Sequence, residues 1–190
     1  MRKIISLLIV FVLIFAFSAC GKEEVFDIGK IKDGVYINDY MDIKATLPEG
    51  FEFMSDDEAK EAFGVTELYS EGSAFGYGAF GISATGASLS FTFENTEVSN
   101  TAKLSADEYI DNLAKQMEAL GEDTLISCEK NALSDDIPCI DMEINASAGE
   151  DKITVFERVA VKEKDGWVCV ITAGSTDKTD IETLFSGIEM

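Results

Sequence analysis

The sequence predicts an α+β domain, with a mainly antiparallel sheet of about six or seven strands flanked by three helices on both faces. Three observations predict it: three helix-start motifs, three two-residue turn signals between apolar segments, and one segment, Trp167–Ala173, that is apolar on both sides. A strand buried on both sides requires helices on both faces of its sheet. The 190 residues suit a single domain with an N-terminal tail.

Each predicted helix opens with a Ser or Thr followed three residues later by Glu. This capping-box pattern satisfies backbone N–H groups that have no partner inside the helix. The three boxes begin at Ser55, Ser105 and Thr179, and Gly64 and Gly121 end the first two helices.

Turn signals at Thr85-Gly86, Ala148-Gly149 and Asp165-Gly166 predict three hairpins. Apolar residues then lie opposite one another: Phe80 with Phe91, Ile144 with Ile153, and Val161 with Val170. The first hairpin places a polar series on its other side, which we expect to face water: Ser88, Ser90, Thr92 and Glu94.

Residues 1–19 resemble the signal peptide of bacterial lipoproteins. A positive start is followed by an apolar run too short for a stable membrane span, which ends at Phe17-Ser18-Ala19-Cys20 and gives way to charged residues. This ending resembles a lipobox. The resemblance implies cleavage before Cys20, lipidation of Cys20 with fatty acyl chains such as palmitate, and a location on the extracytoplasmic face of the cell membrane.

The sequence after Cys20 divides into a tether and a domain. Residues 20–33 are polar and mixed, so we expect a lipidated N-terminus and a flexible stalk, with one domain over residues 34–190. The net charge of the mature chain is −23, because Arg2 and Lys3 are lost with the signal while all 36 acidic residues remain. We therefore expect the lipid, rather than the acidic protein surface, to hold the domain at the membrane.

Residues 38–51, an extended segment that ends in Leu47-Pro48-Glu49-Gly50-Phe51, precede the first capping box. This arrangement resembles a group of Gram-positive lipoproteins whose domains are similar to the PsbP-like α/β/α sandwich. The group usually has Trp where this chain has Phe51. The resemblance covers residues 34–190 and implies a fold that docks onto partner proteins, with no catalytic residues to carry over.

Composition excludes several function classes. The chain has no histidine, which excludes Ser-His-Asp and Cys-His catalysis and His-ligated metals. Its net charge of −21 argues against nucleic-acid binding. Acidic pairs occur at turns and helix starts without a calcium-loop motif, so we predict neither a metal site nor a cofactor.

Residues 76–81 match G-x-G-x-x-G, but the glycines lead into a strand and no helix follows, so the motif does not predict a dinucleotide site. Phe75, Tyr77 and Phe80 in this Gly-rich stretch are candidates for an exposed contact patch, and core packing is the alternative.

Three cysteines follow Cys20, an odd number that leaves at least one free thiol. A hairpin centred between Leu133 and Ser134 would put Cys128 directly opposite Cys139. We therefore expect this pair to lie within bridging distance and Cys169 to stay free. Arg158, the only arginine after the signal, has two interpretations: a structural ion pair with Asp141, or a clamp for a ligand carboxylate.

The first functional hypothesis is a non-enzymatic, lipid-anchored extracytoplasmic domain that docks a protein partner of the cell envelope. The alternative is a lipoprotein that binds a small solute or peptide. A third class is an envelope hydrolase that uses paired carboxylates. A polar pocket would favour the second hypothesis, an exposed apolar patch the first, and two facing carboxylates the third.

Overall fold

The computed structural model describes residues 26–99, 104–121, 123–134, 137–148 and 151–190. Within these ranges the chain forms eleven strands in two sheets and three helices. All strand pairs within the sheets are antiparallel, which confirms the predicted α+β class. The prediction of a single sheet is wrong, because the segments before Pro48 and after Gly187 form a second sheet of their own.

The smaller sheet joins the two ends of the domain. Its strands are β1 (Lys30–Lys32), β2 (Val35–Asn38), β3 (Ile43–Thr46) and β11 (Ile188–Glu189), in that order. Residues of β2 and β3 alternate between buried and more exposed positions, as expected for a sheet with one face on the core.

The larger sheet has seven strands in the order β4-β5-β6-β10-β9-β8-β7. In chain order they are β4 (Phe51–Phe53), β5 (Phe75–Ser83), β6 (Ser88–Asn95), β7 (Leu125–Ser134), β8 (Ile137–Ala148), β9 (Asp151–Lys164) and β10 (Trp167–Ser175). The predicted burial of β10 on both sides is confirmed, since most of its residues are inaccessible to solvent.

The helices are α1 (Asp56–Phe63), α2 (Ala106–Glu118) and α3 (Lys178–Ser186). Complete capping boxes at Ser55 and Ser105 confirm the first two predicted starts. The predicted box at Thr179 is wrong. Asp177 is the N-cap, and its carboxylate accepts a hydrogen bond from the backbone N–H of Thr179 at 2.9 Å.

The two faces of the larger sheet have different coverings. The inner face carries Phe91, Cys169 and Ile171, which pack against the smaller sheet and α3 in one core cluster. The outer face carries Val159, Val161 and Val168 beneath α2, and Phe80 beneath α1. Helices thus contact both faces, but a second sheet covers much of the inner one.

The predicted start of the domain at residue 34 is wrong. Phe26 is only 4% exposed, and its ring stacks on Trp167 with 3.5 Å between centroids. The hydroxyl of Tyr36 donates a hydrogen bond to the carbonyl oxygen of Ile28 at 2.6 Å. Residues 26–33 are therefore part of the folded domain, because a few apolar residues among the polar ones anchor the segment on the core.

Replacing Phe26 with alanine tests this assignment. We expect Phe26→Ala to lower the free energy of unfolding by about 3 kcal/mol, as removal of a buried phenylalanine side chain does. Trp167 is the only tryptophan, so its fluorescence reports denaturant unfolding directly. Ile31→Ala is the control from the same segment; Ile31 is 38% exposed, and we expect a change below about 1 kcal/mol. Equal, small effects of both substitutions would show that residues 26–33 are a loose stalk.

Candidate binding trough

We use the name trough for the strip of the larger sheet's outer face that lies between two helices. Helix α1 packs on β5 and helix α2 packs on β7, β8 and β9, so that β6 and β10 lie between the two helices. We define the trough by its floor on these central strands and the adjacent β9, whose side chains are mainly polar: Ser88, Ser90, Thr92, Thr172 and Glu157.

The first hairpin is displaced from its predicted register by one residue. Phe80 lies opposite Ser90, not Phe91. The backbone N–H of Ser83 donates to the carbonyl of Ala87 at 2.9 Å, so three residues connect the strands where two were predicted. Gly86 takes the left-handed conformation that such a loop requires (φ 92°). Because side chains alternate along a strand, the slip puts Phe80 on the same face as the polar series.

The expectation that this polar series faces water is also wrong. Ser88 is 5% exposed, and Ser90 and Glu94 are similarly buried. The hydroxyls of Ser90 and Thr92 lie 3.5 Å from the carbonyl oxygens of Thr172 and Val170 on the neighbouring strand, at the limit of hydrogen bonding. The floor is therefore polar and largely buried.

Glu157 and Ser88 flank a glycine in the middle of this floor. Both residues pair with Gly174, Glu157 from β9 and Ser88 from β6, so their side chains project from the same face. Adjacent strands are about 4.8 Å apart, which separates the two Cα atoms by about 10 Å. The residue between them in the row, Gly174, has no side chain.

Neither of these two side chains has a polar partner among the described residues. Glu157 is 6% exposed, and no described side chain or backbone group makes a hydrogen bond or ion pair with its carboxylate. The Ser88 hydroxyl likewise makes no hydrogen bond within the described ranges. No fully buried side-chain oxygen or nitrogen among the described residues lacks a hydrogen-bond partner, so the oxygens of Glu157 and Ser88 keep contact with solvent although both residues are largely buried.

Burial without a partner changes the ionisation of Glu157. Desolvation raises the pKa of its carboxyl group from 4.5 to about 7. Its flanking residues on the same strand face are Val155 and Val159, and its neighbour on β8 is Met142. Every second residue along this part of β9 is apolar except Glu157: Val155, Val159 and Val161. A single charged residue in such an alternation is a sequence signal that could have identified Glu157.

Glu94 forms the other buried acidic position of the outer face. It is 3% exposed, and the hydroxyl of Tyr109 donates to its carboxylate at 3.4 Å. Burial, reinforced by the nearby Glu94 charge, raises the pKa of Tyr109. Glu94 lies six residues along β6 from Ser88, and Ser88 lies in the same row as Glu157 across Gly174. The carboxylates of Glu94 and Glu157 are therefore on the order of 20 Å apart. Glycosidase carboxylates lie within about 10 Å of each other, so this pair does not form a hydrolase site.

The predicted contact patch does not form as expected. Phe80 is buried in a cluster with Phe63, and Phe75 and Tyr77 are half-buried. The Tyr77 ring packs 4.7 Å from that of Phe63. The one-residue slip of the hairpin accounts for this difference, because it turns Phe80 toward α1.

The predicted opposition of Cys128 and Cys139 is wrong. Cys128 pairs with Met142, and Cys139 pairs with Asn131. The three-residue offset is about 10 Å along the strands, beyond the roughly 7 Å limit for a disulfide. The two residues also belong to clusters on opposite faces, and all three described cysteines are free thiols. The cause is a shorter connection than predicted, since β7 continues to Ser134 and β8 begins at Ile137.

Arg158 forms the structural ion pair that was one of its two interpretations. Its guanidinium donates to both carboxylate oxygens of Asp141, at 2.6 and 3.1 Å, and also contacts Glu182 of α3 at 3.0 Å. The group lies 5.4 Å over the ring of Phe185. Asp141 lies directly opposite Arg158 because the β8–β9 hairpin is shifted by two residues from prediction, so that Ile144 pairs with Val155.

Other kinds of site are not formed by the described residues. No group of three or more Cys, Asp or Glu side chains there could hold a metal ion. No described helix is long and apolar enough to cross a bilayer. Cys20 and the predicted signal peptide lie outside the described residues.

Comparisons with known proteins return one informative structure. No family model and no curated protein matches the chain. The chain is similar to the solution structure of cyanobacterial PsbP (CyanoP) from Synechocystis sp. PCC 6803, with 13% identity, over 90% of this chain and 97% of that chain, at a TM-score of 0.46. At this TM-score the similarity supports no conclusion about ligand, activity or partner.

The substitution Glu157→Gln tests the buried carboxylate. In the folded protein its pKa lies above the unfolded value, so the stability it contributes is complete below pH 4.5 and lost by about pH 7. Glutamine cannot ionise. We expect Glu157→Gln to be more stable than the parent by about 3 kcal/mol at pH 8 and nearly equal to it at pH 4, in denaturant titrations.

Glu163→Gln is the matched control, because Glu163 lies six residues along the same strand and is exposed. A stability difference for Glu157→Gln that does not change between pH 4 and pH 8 would contradict burial of an ionisable carboxyl group.

Proposed function

We propose that this chain is a lipid-anchored, extracytoplasmic domain that works by binding a small ligand in the trough, without catalysing a reaction. The observation that carries the proposal is the pair formed by Glu157 and Ser88, two largely buried polar side chains without described partners on either side of Gly174, whose oxygens keep contact with solvent. A ligand that supplied hydrogen bonds or charge at this position would remove the energetic cost of leaving them unpaired.

The position of the fold relative to Cys20 supports a domain held close to the membrane. Only residues 21–25 separate Cys20 from the buried Phe26, and fully extended they span about 20 Å. A domain on so short a tether samples little distance from the bilayer. Cys20→Ser removes the acyl acceptor. We expect it to abolish labelling by radioactive palmitate and to leave an unprocessed precursor; a labelled, processed variant would contradict the anchor.

The chemistry of the reactive groups supports binding over catalysis. Burial raises the pKa of the Cys139 thiol to about 11 and also raises the pKa of Cys128, so both thiols are protonated near neutral pH. The guanidinium of Arg158 is already occupied by Asp141 and Glu182. The two buried carboxylates of the outer face are too far apart to act on one bond.

A protein-docking role is the second candidate, and a specific surface favours it. Leu120 and Ile126 are 45% and 47% exposed, and they flank the turn in which the backbone N–H of Leu125 donates to the carbonyl of Gly121. Ile126 belongs to β7, an edge strand of the larger sheet. Exposed apolar residues at a sheet edge are a common site for partner strands.

A panel of solutes tests the proposed function. The mature lipoprotein in detergent would be heated with a cationic, an anionic and a neutral solute series and with short peptides, at equal ionic strength, while Trp167 fluorescence is followed. A ligand that binds only the folded state raises the unfolding temperature. We expect at least one class of solute to raise the unfolding temperature of the parent protein. Its affinity for the Ser88→Ala variant should be at least tenfold lower. If no class stabilises the protein, the trough is not a solute site and the docking candidate takes its place.

A further inference from the structure

We propose that the trough binds a primary ammonium group, carried on a short alkyl chain, with Glu157 as its counter-ion. This inference deepens the proposed function and rests on it. The Glu157 carboxylate is largely buried, has no partner among the described residues, and keeps a small contact with solvent, so a cation can reach it and compensate for its reduced solvation.

The surroundings of Glu157 favour an ammonium over other cations. The residues in its row across the sheet are Cys128, Met142, Gly174, Ser88, Ile82 and Glu52, none of them aromatic. Quaternary ammonium groups are recognised by aromatic cages, which this row does not provide. A calcium ion needs six or more oxygen ligands close together, whereas Glu52 on β4, the other carboxylate of the row, lies four strands from Glu157, about 19 Å away.

The geometry also matches the donors of a primary ammonium. The group has three N–H bonds that point in different directions. Glu157 offers an acceptor on one side of Gly174, and the Ser88 hydroxyl offers another on the far side. Met142 and Ile82 lie beyond these acceptors, one on each side, and provide apolar surface for an alkyl chain.

Overall charge favours access by cations. The chain carries 36 acidic and 15 basic side chains, and its negative field raises the local concentration of cationic solutes. Two of the described lysines on or beside the helices are already paired, Lys60 with Asp57 on α1 and Lys130 of β7 with Asp111 on α2. A free amine and a lysyl side chain of a peptide share the same chemistry, so the experiment compares both.

The test uses butylammonium chloride as the probe on the mature lipoprotein in detergent at pH 8, with sodium chloride, n-butanol and sodium butyrate as controls at matched ionic strength. We expect saturable stabilisation by butylammonium alone. The affinity should fall at least tenfold in Glu157→Gln and be unchanged in Glu163→Gln. Nα-acetyl-lysine amide replaces butylammonium in a parallel arm, and tighter binding of this probe would identify a peptide as the source.

Acidification provides a second readout. With a carboxyl pKa near 7, binding should weaken about thirtyfold from pH 8 to pH 5.5, because the protonated group no longer attracts a cation. The other titratable groups near this row are the Cys128 thiol on β7, whose pKa burial raises, and Glu118 at the end of α2. The Cys128 thiol stays neutral over this range. Cys128→Ser and Glu118→Gln should therefore keep the same pH dependence.

Two results would overturn the inference. One is the absence of saturable binding of either ammonium probe at pH 8. The other is binding that Glu157→Gln leaves intact. If the panel still shows an anionic or neutral solute whose binding requires Ser88, the proposed function stands and only the ligand class is wrong.

Discussion

Burial of β10 on both faces is the constraint on which the rest of this structure depends. The strand pairs with β6 and β9 and separates two apolar clusters, so each face needs its own cover. On the inner face the smaller sheet and α3 supply it, and Phe26 stacks on Trp167 at the start of the strand. On the outer face α2 covers Val168 at one end of β10 and contacts Glu94 of β6 through Tyr109, and the trough lies toward the other end of β10, near Gly174.

The same constraint explains why a charged side chain at position 157 costs free energy. Glu157 pairs with Gly174 near the end of β10 and is only 6% exposed there. A carboxyl group there is either protonated or needs a cation, and near neutral pH the balance between the two is close because its pKa is about 7. Ligand binding and protonation then compete for one group, which makes the site sensitive to pH in the physiological range.

Sequence patterns predicted elements wherever a local signal determines the geometry. The Asp165-Gly166 turn has two consecutive left-handed residues (φ 48° and 80°), which fix the register of β9 and β10, so Val161 lies opposite Val170 as expected. The Ser55 and Ser105 capping boxes are equally local. The Thr85-Gly86 and Leu133-Ser134 turns were misplaced because loop length is set by packing of the strands, and a one-residue error exchanges the faces.

The candidate site at Glu157 and Ser88 could not be derived from the sequence, because it also depends on strand register. Ser88 was identified only as a residue of a solvent-facing side, and its burial follows from the slip in the hairpin and the covering of the outer face. The ion pair of Arg158 was easier to predict. Asp141 on the neighbouring strand lies near Arg158 in both the predicted and the observed register of β8 and β9. Glu157 becomes conspicuous only when its register against Gly174 and its lack of described partners are known.

The central claim is that Glu157 is a largely buried carboxyl group without a partner among the described residues. Carbon-13 NMR of the side-chain carboxyl, assigned by comparison with Glu157→Gln, measures its titration directly in the native protein. The account predicts a midpoint near pH 7 in the absence of ligand, displaced downward when butylammonium is bound. A midpoint near 4.5, as for an exposed glutamate, would contradict it.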